Sequence, residues 1–356
     1  MSKQKIQLSD HFDYSRLIRF VLPCIGTMLF TSIYGIVDGL CVSNFVGKTA
    51  FAAVNLIMPV PMLVGTVGFM LGTGGSAIVG ITLGEGDKAR AGRYFSLFMS
   101  TALIAGIVLS VLGLLLLRPV ALMLGAEGEM LDYALRYGRV LMLSLPTFIL
   151  QNMFQSFFVT AEKPHLGFYF TVGAGCTNMV LDVLLVGILH WSVEGAAIAT
   201  MLSQVVGGLL PVFYFLNRKN TSLLHLCRPQ FEGGVLLKAC VNGSSELMTN
   251  LSMSLVNILY NYQLLRFAGE DGVAAYGVIM YASFLFVAVF VGYAVGSAPI
   301  VSYHYGANNR KEVDNLYRKS LKLIGVVAVV MTIGSMFIIP HVARFFVGYD
   351  ENLLIL

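Results

Sequence analysis

The sequence predicts an all-α protein that crosses a membrane many times, and three observations support this. Of the 356 residues, 57% are hydrophobic and only 12% are charged, whereas about a quarter of the residues in a typical soluble domain are charged. Apolar runs repeatedly reach the ~20 residues that a helix needs to cross a bilayer. The polar connectors between these runs alternate in the sign of their charge.

The apolar runs define nine predicted spans, which are separated by short polar connectors. They cover 17–45, 52–82, 95–117, 134–159, 167–189, 193–216, 235–266, 274–304 and 320–346. Several runs exceed 25 residues, which predicts tilted helices or helices with interfacial ends.

The basic residues predict the orientation of the spans. They lie mainly in the N-terminal tail and the even-numbered connectors, for example Lys88, Arg90, Arg93, Arg310 and Lys311. The odd-numbered connectors are acidic, with Glu127, Glu129, Asp132, Glu194, Glu270 and Asp271. Because positively charged loops stay in the cytoplasm, we expect a multi-pass protein of the plasma membrane with a cytoplasmic N-terminus.

A shift of 222 residues aligns the sequence with itself without a gap. The stretch GKTAFAAVNLIM (47–58) falls on GEDGVAAYGVIM (269–280), and Gly74 and Gly84 fall on Gly296 and Gly306. A single offset that holds for over 100 residues is hard to attribute to apolar composition alone. The sequence therefore predicts two repeats of six spans each, inserted in the same direction, as in one architecture of secondary transporters.

The repeat also predicts the domain organisation. We expect an N-lobe of six transmembrane helices at 1–222 and an incomplete C-lobe of three transmembrane helices at 223–356. A complete second repeat would require twelve spans, so the sequence predicts that nine are present and that the chain is truncated at its C-terminus.

Three carboxylates, those of Asp38, Asp182 and Glu246, lie inside predicted spans, where acidic groups are rare and are candidates for function. Asp38 lies nine residues before the outer end of the first span, Asp182 lies eight before that of the fifth, and Thr200 lies seven after the start of the sixth. At 1.5 Å per residue, all three are about 10–14 Å below the outer surface. Asn178 precedes Asp182 by four residues and shares its helical face.

This group predicts a cation site in the first repeat. Oxygen ligands suit a hard cation such as Na⁺, and carboxylates in an apolar site also hold protons readily. The alternative is that each acid pairs with a helix terminus or a polar neighbour and only holds helices together.

Other polar residues inside spans are secondary candidates. Glu246 lies near the middle of the seventh span and aligns with Cys24 under the repeat, whereas Asp38 aligns with Tyr260, so the two lobes do not duplicate the acid site. Glu246 is a candidate second coupling acid or a structurally hydrogen-bonded residue. The polar residues predicted to face a cavity are Gln151, Asn152, Gln155 and Tyr34; hydrogen bonding between helices without a further role is the alternative.

No enzyme chemistry is predicted. The histidines and cysteines have no metal-ligand spacing, and no Ser/His/Asp set is visible. We therefore expect no cofactor apart from a coupling ion.

Three stretches also resemble a known family. YGIVDGLCVSNFVGKTAFAAVNLIMP, GEGDKARAG and NMVLDVLL look like those of the multidrug and toxic compound extrusion (MATE) transporters, and the resemblance covers essentially the whole chain. It implies twelve spans in two six-span lobes that form a V. It also implies export of cationic, amphipathic compounds in exchange for Na⁺ or H⁺. The cation-site positions implied by the resemblance are Asp38, Asn178, Asp182 and Thr200, and it matches Glu246 with an acid that some members use in the second lobe.

The leading hypothesis is therefore an efflux antiporter that acts on small cationic drugs, as a monomer in the lipid bilayer and with no nucleic-acid partner. A lipid-linked precursor flippase of related fold is the first alternative, although few basic residues lie within the spans to line its cavity. A non-transporting membrane scaffold or sensor is the second.

Overall fold

All the elements that the structure describes are helices. The computed structural model describes the backbone of residues 6–45, 48–217 and 219–347. Within these ranges it does not describe the side chains of residues 36–45, 48, 51–52, 337–347 and part of 254–285. The α-helices are α1 (Tyr14–Phe45), α2 (Lys48–Ile57), α3 (Pro59–Gly84), α4 (Lys88–Met123), α5 (Gly128–Thr160), α6 (Pro164–Leu181), α7 (Ser192–Gln204), α8 (Leu210–Leu216), α9 (Gly233–Gly306) and α10 (Arg310–Val347). Two π-helical segments, Asp182–Ile188 and Val205–Leu209, continue α6 and join α7 to α8.

Local sequence signals explain where several helices begin. Pro59 and Pro164 occupy first-turn positions of α3 and α6, where a missing N–H costs nothing. Asp87 caps α4, because its carboxylate accepts a hydrogen bond from the Arg90 backbone N–H at 2.9 Å. Gly86, with a φ of 90°, makes the turn between α3 and α4.

Eight helical stretches in the described part of the chain are long and apolar enough to cross a membrane. Seven of the eight stretches correspond to predicted spans one to six and nine. In the region of predicted spans seven and eight, only Phe286–Gly306 is long and apolar enough. The prediction of an all-α protein with many apolar helices is confirmed, while the count of nine spans stays a prediction.

The predicted connector between spans seven and eight, residues 267–273, is helical in the structure and belongs to α9. The stretch contains no proline, but Gly269 and Gly272 disfavour helix, so local propensity does not explain why it is helical. The two ends of α9 nevertheless contact the same helix in opposite directions. Ala239 and Gly243 meet Gly74 and Met70, so the first part runs antiparallel to α3.

The last part of α9 runs parallel to α3, because Gly80 contacts Ser302 and Gly84 contacts Ala307. A straight helix from Gly243 to Gly306 would extend about 95 Å, whereas their partners Met70 and Ile81 are only about 17 Å apart along α3. One straight helix cannot make both sets of contacts, so α9 departs from a straight course between Gly243 and Gly306.

The contacts between the repeats follow the 222-residue offset. Gly84 meets the Tyr303 carbonyl, and Gly306 meets the Ile81 carbonyl. The 222-residue offset relates Gly84 to Gly306 and Ile81 to Tyr303, so the two contacts are equivalent under the repeat. The contact of Val21 with Gly296 corresponds in the same way to that of Gly243 with Gly74. The repeat in the sequence is therefore a two-fold relation in space, with its axis passing through the crossing of α3 and α9.

The core of the first repeat is built around α5. Phe154, Phe157 and Phe158 of this helix are at most 2% exposed, and they pack with Phe95 and Phe215. The rings of Phe154 and Phe215 stack with their centroids 5.6 Å apart. This aromatic layer holds α4, α5 and α8 together and so fixes the positions of the polar residues on α5.

The glycine crossing gives a testable prediction. Gly84→Val places a branched side chain against the Tyr303 carbonyl and the Ala307 N–H group, so we expect a cost of about 1–3 kcal/mol and a lower apparent melting temperature in detergent. Gly325→Val is the matched control, because a side chain at this position in α10 meets nothing within 4 Å. Equal melting temperatures for the two variants would contradict the tight crossing.

Candidate functional site

Helices α1 and α6 lie side by side and run in the same direction. A Cβ added at Gly26 would lie 3.1 Å from the Phe168 ring, and a Cβ added at Gly175 would meet the rings of Phe30 and Tyr34. Because these small residues let the helices approach closely, the register between the helices is well defined. It places position 38 of α1 at about the level of residues 179–183.

The next helix, α7, runs antiparallel to α6 and its π-helical continuation. A Cβ added at Gly195 would lie 3.2 Å from the Leu185 backbone, and a Cβ added at Gly173 would lie 3.8 Å from the Val206 side chain. This register places Thr200 at about the level of residues 179–180.

The structure therefore brings the predicted cation-site residues to one level on three neighbouring helices. Asp182 is fully buried and Asn178 is 2% exposed, while Thr200 is half-buried. Asp38 belongs to the helical part of α1, but its side chain lies outside the described residues. The backbone register thus places the four positions at one level, while their role as a cation site stays a prediction.

The oxygen atoms at this level suit a cation or a proton. The Thr200 hydroxyl donates to the Ala196 carbonyl at 3.0 Å, which leaves its lone pairs as acceptors. The Asn178 Oδ1 has no hydrogen-bond partner among the described residues. Acidic groups at membrane depth are rare and mark ion or proton pathways, so the fully buried Asp182 carboxylate is a candidate ligand for a cation or a proton. The carboxylate, amide and hydroxyl oxygens are ligands that Na⁺ accepts.

Asp182 is also the first residue of a π-helical segment, which the sequence analysis missed. The segment covers Asp182–Ile188, and π-helical turns occur frequently at functional sites. The second π segment contains Gly207 and Gly208, which fit against Gln151 and the Thr147 carbonyl on α5. The Gly-Gly pair was a signal for the second segment, whereas nothing in DVLLVGI marks the first.

A small cavity opens between α1, α5, α6 and the last part of α9. Its lining includes Cys24, Thr27, Gln151, Gln155 and Val295. The Oε1 atoms of the two glutamines are buried and have no hydrogen-bond partner among the described residues. The Thr27 hydroxyl donates to the Pro23 carbonyl, and each glutamine amide carries both donors and an acceptor, so this cavity combines a few polar side chains with apolar ones.

The remaining three candidates lie in different places. Asn152 points away from this cavity and donates to the Gly65 carbonyl at 3.3 Å, so its described contact joins two helices. Tyr34 is half-buried and packs against Phe30 and Gly175, one helical turn before Asp38. Glu246 is half-buried in the second repeat, three residues after Gly243, which touches Met70. The structure therefore places Glu246 on a different helix from the Asp182 group.

Comparisons with known proteins agree with this architecture. The MatE family model matches residues 23–184 and 247–356. A multidrug export protein MepA from Staphylococcus haemolyticus is 23% identical over 90% of this chain and 71% of its own length. MepA from Staphylococcus aureus N315 is 24% identical over 94% of this chain and 72% of its own length.

Solved structures share the fold. A MATE structure in complex with MaL6 superposes with a TM-score of 0.91 at 24% identity, and covers 99% of this chain and 78% of that one. A MOP superfamily transporter from Pyrococcus furiosus, described as having a binding pocket of reverse polarity that suggests a different function, superposes with a TM-score of 0.88 at 25% identity. It covers 99% of this chain and 78% of its own.

The different environments of two neighbouring amides on α5 give a testable prediction. Asn152→Ala removes a buried hydrogen bond to Gly65, and we expect it to destabilise the protein by about 1–2 kcal/mol. Gln155→Ala is the matched variant, because Gln155 lines the cavity and its Oε1 has no hydrogen-bond partner among the described residues, so we expect little change in stability. Thermal unfolding of both in detergent tests this, and the reverse order of stabilities would contradict it.

Proposed function

The chain belongs to the MatE family, and on that premise we propose that it is a multidrug efflux antiporter that exchanges cationic, amphipathic compounds for Na⁺ or H⁺. Members of this family are membrane transporters rather than enzymes. The observation that carries the antiport proposal is the common level of Asp182, Asn178, Thr200 and position 38 on neighbouring helices. The names of the staphylococcal relatives support drugs as the substrates.

Coupling arises when the ion and the drug each bind with different affinity to two conformations of the protein. In the structure the two repeats touch where Gly80 and Gly84 meet Ser302 and Tyr303. We propose that this contact faces the cytoplasm, because the neighbouring turns carry Lys88, Arg310 and Lys311. An ion bound at the Asp182 group and a drug bound between the repeats would then favour different conformations, and each would promote release of the other. This proposal places the N-terminus in the cytoplasm and the protein, as a monomer, in the plasma membrane.

The Asp182 carboxylate gives the first test. We expect Asp182→Asn to abolish efflux of a cationic dye from vesicles, because an amide neither takes up a proton nor supplies a negative charge to a cation. Asp132→Asn is the control, since Asp132 is an exposed carboxylate that pairs with Arg136 at 2.7 Å. Asp38→Asn is expected to behave like Asp182→Asn. Normal efflux by a well-expressed Asp182 variant would refute the coupling role.

Separately imposed gradients distinguish the two coupling ions. A bound Na⁺ needs several oxygen ligands, whereas a proton needs only the carboxylates. We therefore expect Asn178→Leu and Thr200→Val to raise the Na⁺ concentration needed for efflux about tenfold or more if the ion is Na⁺, and to leave efflux driven by a pH gradient largely intact if it is H⁺. Thr177→Val is the control, because its hydroxyl bonds only to the Gly173 carbonyl in its own helix. Dependence on neither gradient would refute antiport.

A flippase of related fold remains the alternative within transport, since the Pyrococcus furiosus relative is described as having a pocket that suggests a different function. Such a protein needs basic residues to bind a lipid-linked phosphate group. The lining of the cavity described above contains no Lys or Arg, which favours the drug transporter. Drug susceptibility of an efflux-deficient cell that expresses the gene separates both transporters from a scaffold or sensor, which would leave susceptibility unchanged.

A further inference from the structure

A short segment that precedes the first helix contacts both repeats. It consists of residues 7–12, here called the N-terminal strap, and ends just before α1. Leu8 and Phe12 are both fully buried, although the strap carries the polar residues Gln7, Asp10 and His11. Because a segment outside any regular helix is fully packed at two positions, its contacts with the rest of the chain are specific.

The strap is joined to the first repeat through Glu162. The Leu8 backbone N–H donates to the Glu162 Oε1 at 2.7 Å in a buried hydrogen bond. Glu162 lies in the turn between α5 and α6 with a φ of 57°. Since the strap also continues directly into α1, it moves with the first repeat.

The strap is joined to the second repeat through the first turns of α10. Glu312 is 6% exposed; its Oε1 accepts from the Phe12 backbone N–H at 2.9 Å, and its Oε2 lies 2.6 Å from the His11 Nδ1. The Phe12 carbonyl accepts from Lys319 at 2.7 Å and from Asn315 at 3.2 Å. The Phe12 ring also packs edge-on against His304 near the end of α9.

These bonds cross between the repeats at the same end as the glycine crossing. His304 follows Tyr303, whose carbonyl meets Gly84. Any motion that separates the repeats at this end must break the bonds of Glu312, Asn315 and Lys319 to the strap, whereas the bond of Leu8 to Glu162 can persist.

We propose that the N-terminal strap is a latch that holds the two repeats together at this end, and that Glu312 is the positioning residue that closes it. Glu312 gathers two groups of the strap on one carboxylate, and charge-assisted hydrogen bonds of this kind are stronger than neutral ones. Its loss therefore shifts the balance between the closed and the separated arrangement of the repeats. The transport measurement below rests on the proposed function, but the labelling measurement does not.

Alkylation of Cys24 in the full chain tests the latch. Cys24 is 5% exposed, and its Sγ lies against Gly296 at the contact between α1 and α9. We expect Glu312→Ala to increase the rate of Cys24 alkylation by a maleimide about tenfold, measured by peptide mass spectrometry with the exposed Cys227, in the connector between α8 and α9, as the reference for reagent activity. Glu129→Ala is the control and should leave the rate unchanged, because Glu129 is an exposed residue whose described partner is Tyr133. An unchanged rate in a folded Glu312→Ala protein would overturn the proposal.

A second variant covers the case in which Glu312→Ala does not fold. In Tyr14→Cys/Lys319→Cys, which keeps the Glu312 carboxylate, a short bifunctional thiol reagent with a cleavable disulfide links the first residue of α1, which closely follows the strap, to α10. In the structure the Lys319 Nζ lies 5.4 Å from the centre of the Tyr14 ring. We expect cross-linking to stop dye efflux and reduction to restore it, whereas the same treatment leaves efflux by the wild-type protein unchanged. Undiminished efflux by the cross-linked protein would overturn the latch. If the wild-type protein itself moves no dye, the proposed function fails, and the Cys24 labelling still decides on the latch.

Discussion

The close crossing of α3 with the last part of α9 is the contact on which the rest of the architecture depends. Gly80 and Gly84 meet Ser302 and the Tyr303 carbonyl with no large side chain between them. Small residues are the general means by which helices in a membrane approach closely, because lipid supplies no hydrophobic driving force between them. Since residues 84 and 306 are related by the repeat, the crossing is also the axis about which the two repeats are arranged. The contact of Val21 on α1 with Gly296 follows the same relation, because its counterpart is the contact of Gly243 with Gly74.

Helix α1 links this crossing to the acidic group. One part of it, near Val21 and Cys24, packs against α9, and a later part, at Phe30 and Tyr34, packs against Gly175 of α6. The centres of the two parts are about 14 Å apart along the helix axis, and Pro23 interrupts the helical hydrogen bonds near the first. An ion that changes the packing at the Asp182 level therefore acts on the same helix that contacts the other repeat. This gives the proposed coupling a continuous structural route, with the strap at the end where the glycine crossing lies.

The fold alone does not specify a substrate. Chains only 24–25% identical to this one superpose with TM-scores of about 0.9, and one of them is described as having a pocket of reversed polarity. The positions that preserve the fold are small residues at crossings and apolar residues in the core, whereas pocket polarity depends on a few side chains that can change without disturbing the packing. The side chains that line the cavity, such as Gln151 and Gln155, are therefore more informative about its guest than the superposition is.

The sequence by itself determined the class of protein, the repeat and the shared depth of Asp38, Asp182 and Thr200, because hydropathy, charge and distance from a helix end are properties of the linear chain. Tertiary structure decided which way each polar residue faces: Gln155 lines a cavity while Asn152, three residues earlier, bonds to Gly65. It also decided the helical continuity of α9 through 267–273, the π-helical segment at Asp182 and the contacts of the strap with Glu162 and Glu312. These features depend on the rotation of each helix about its own axis and on partners 150 to 300 residues away, and no local pattern in the sequence encodes either.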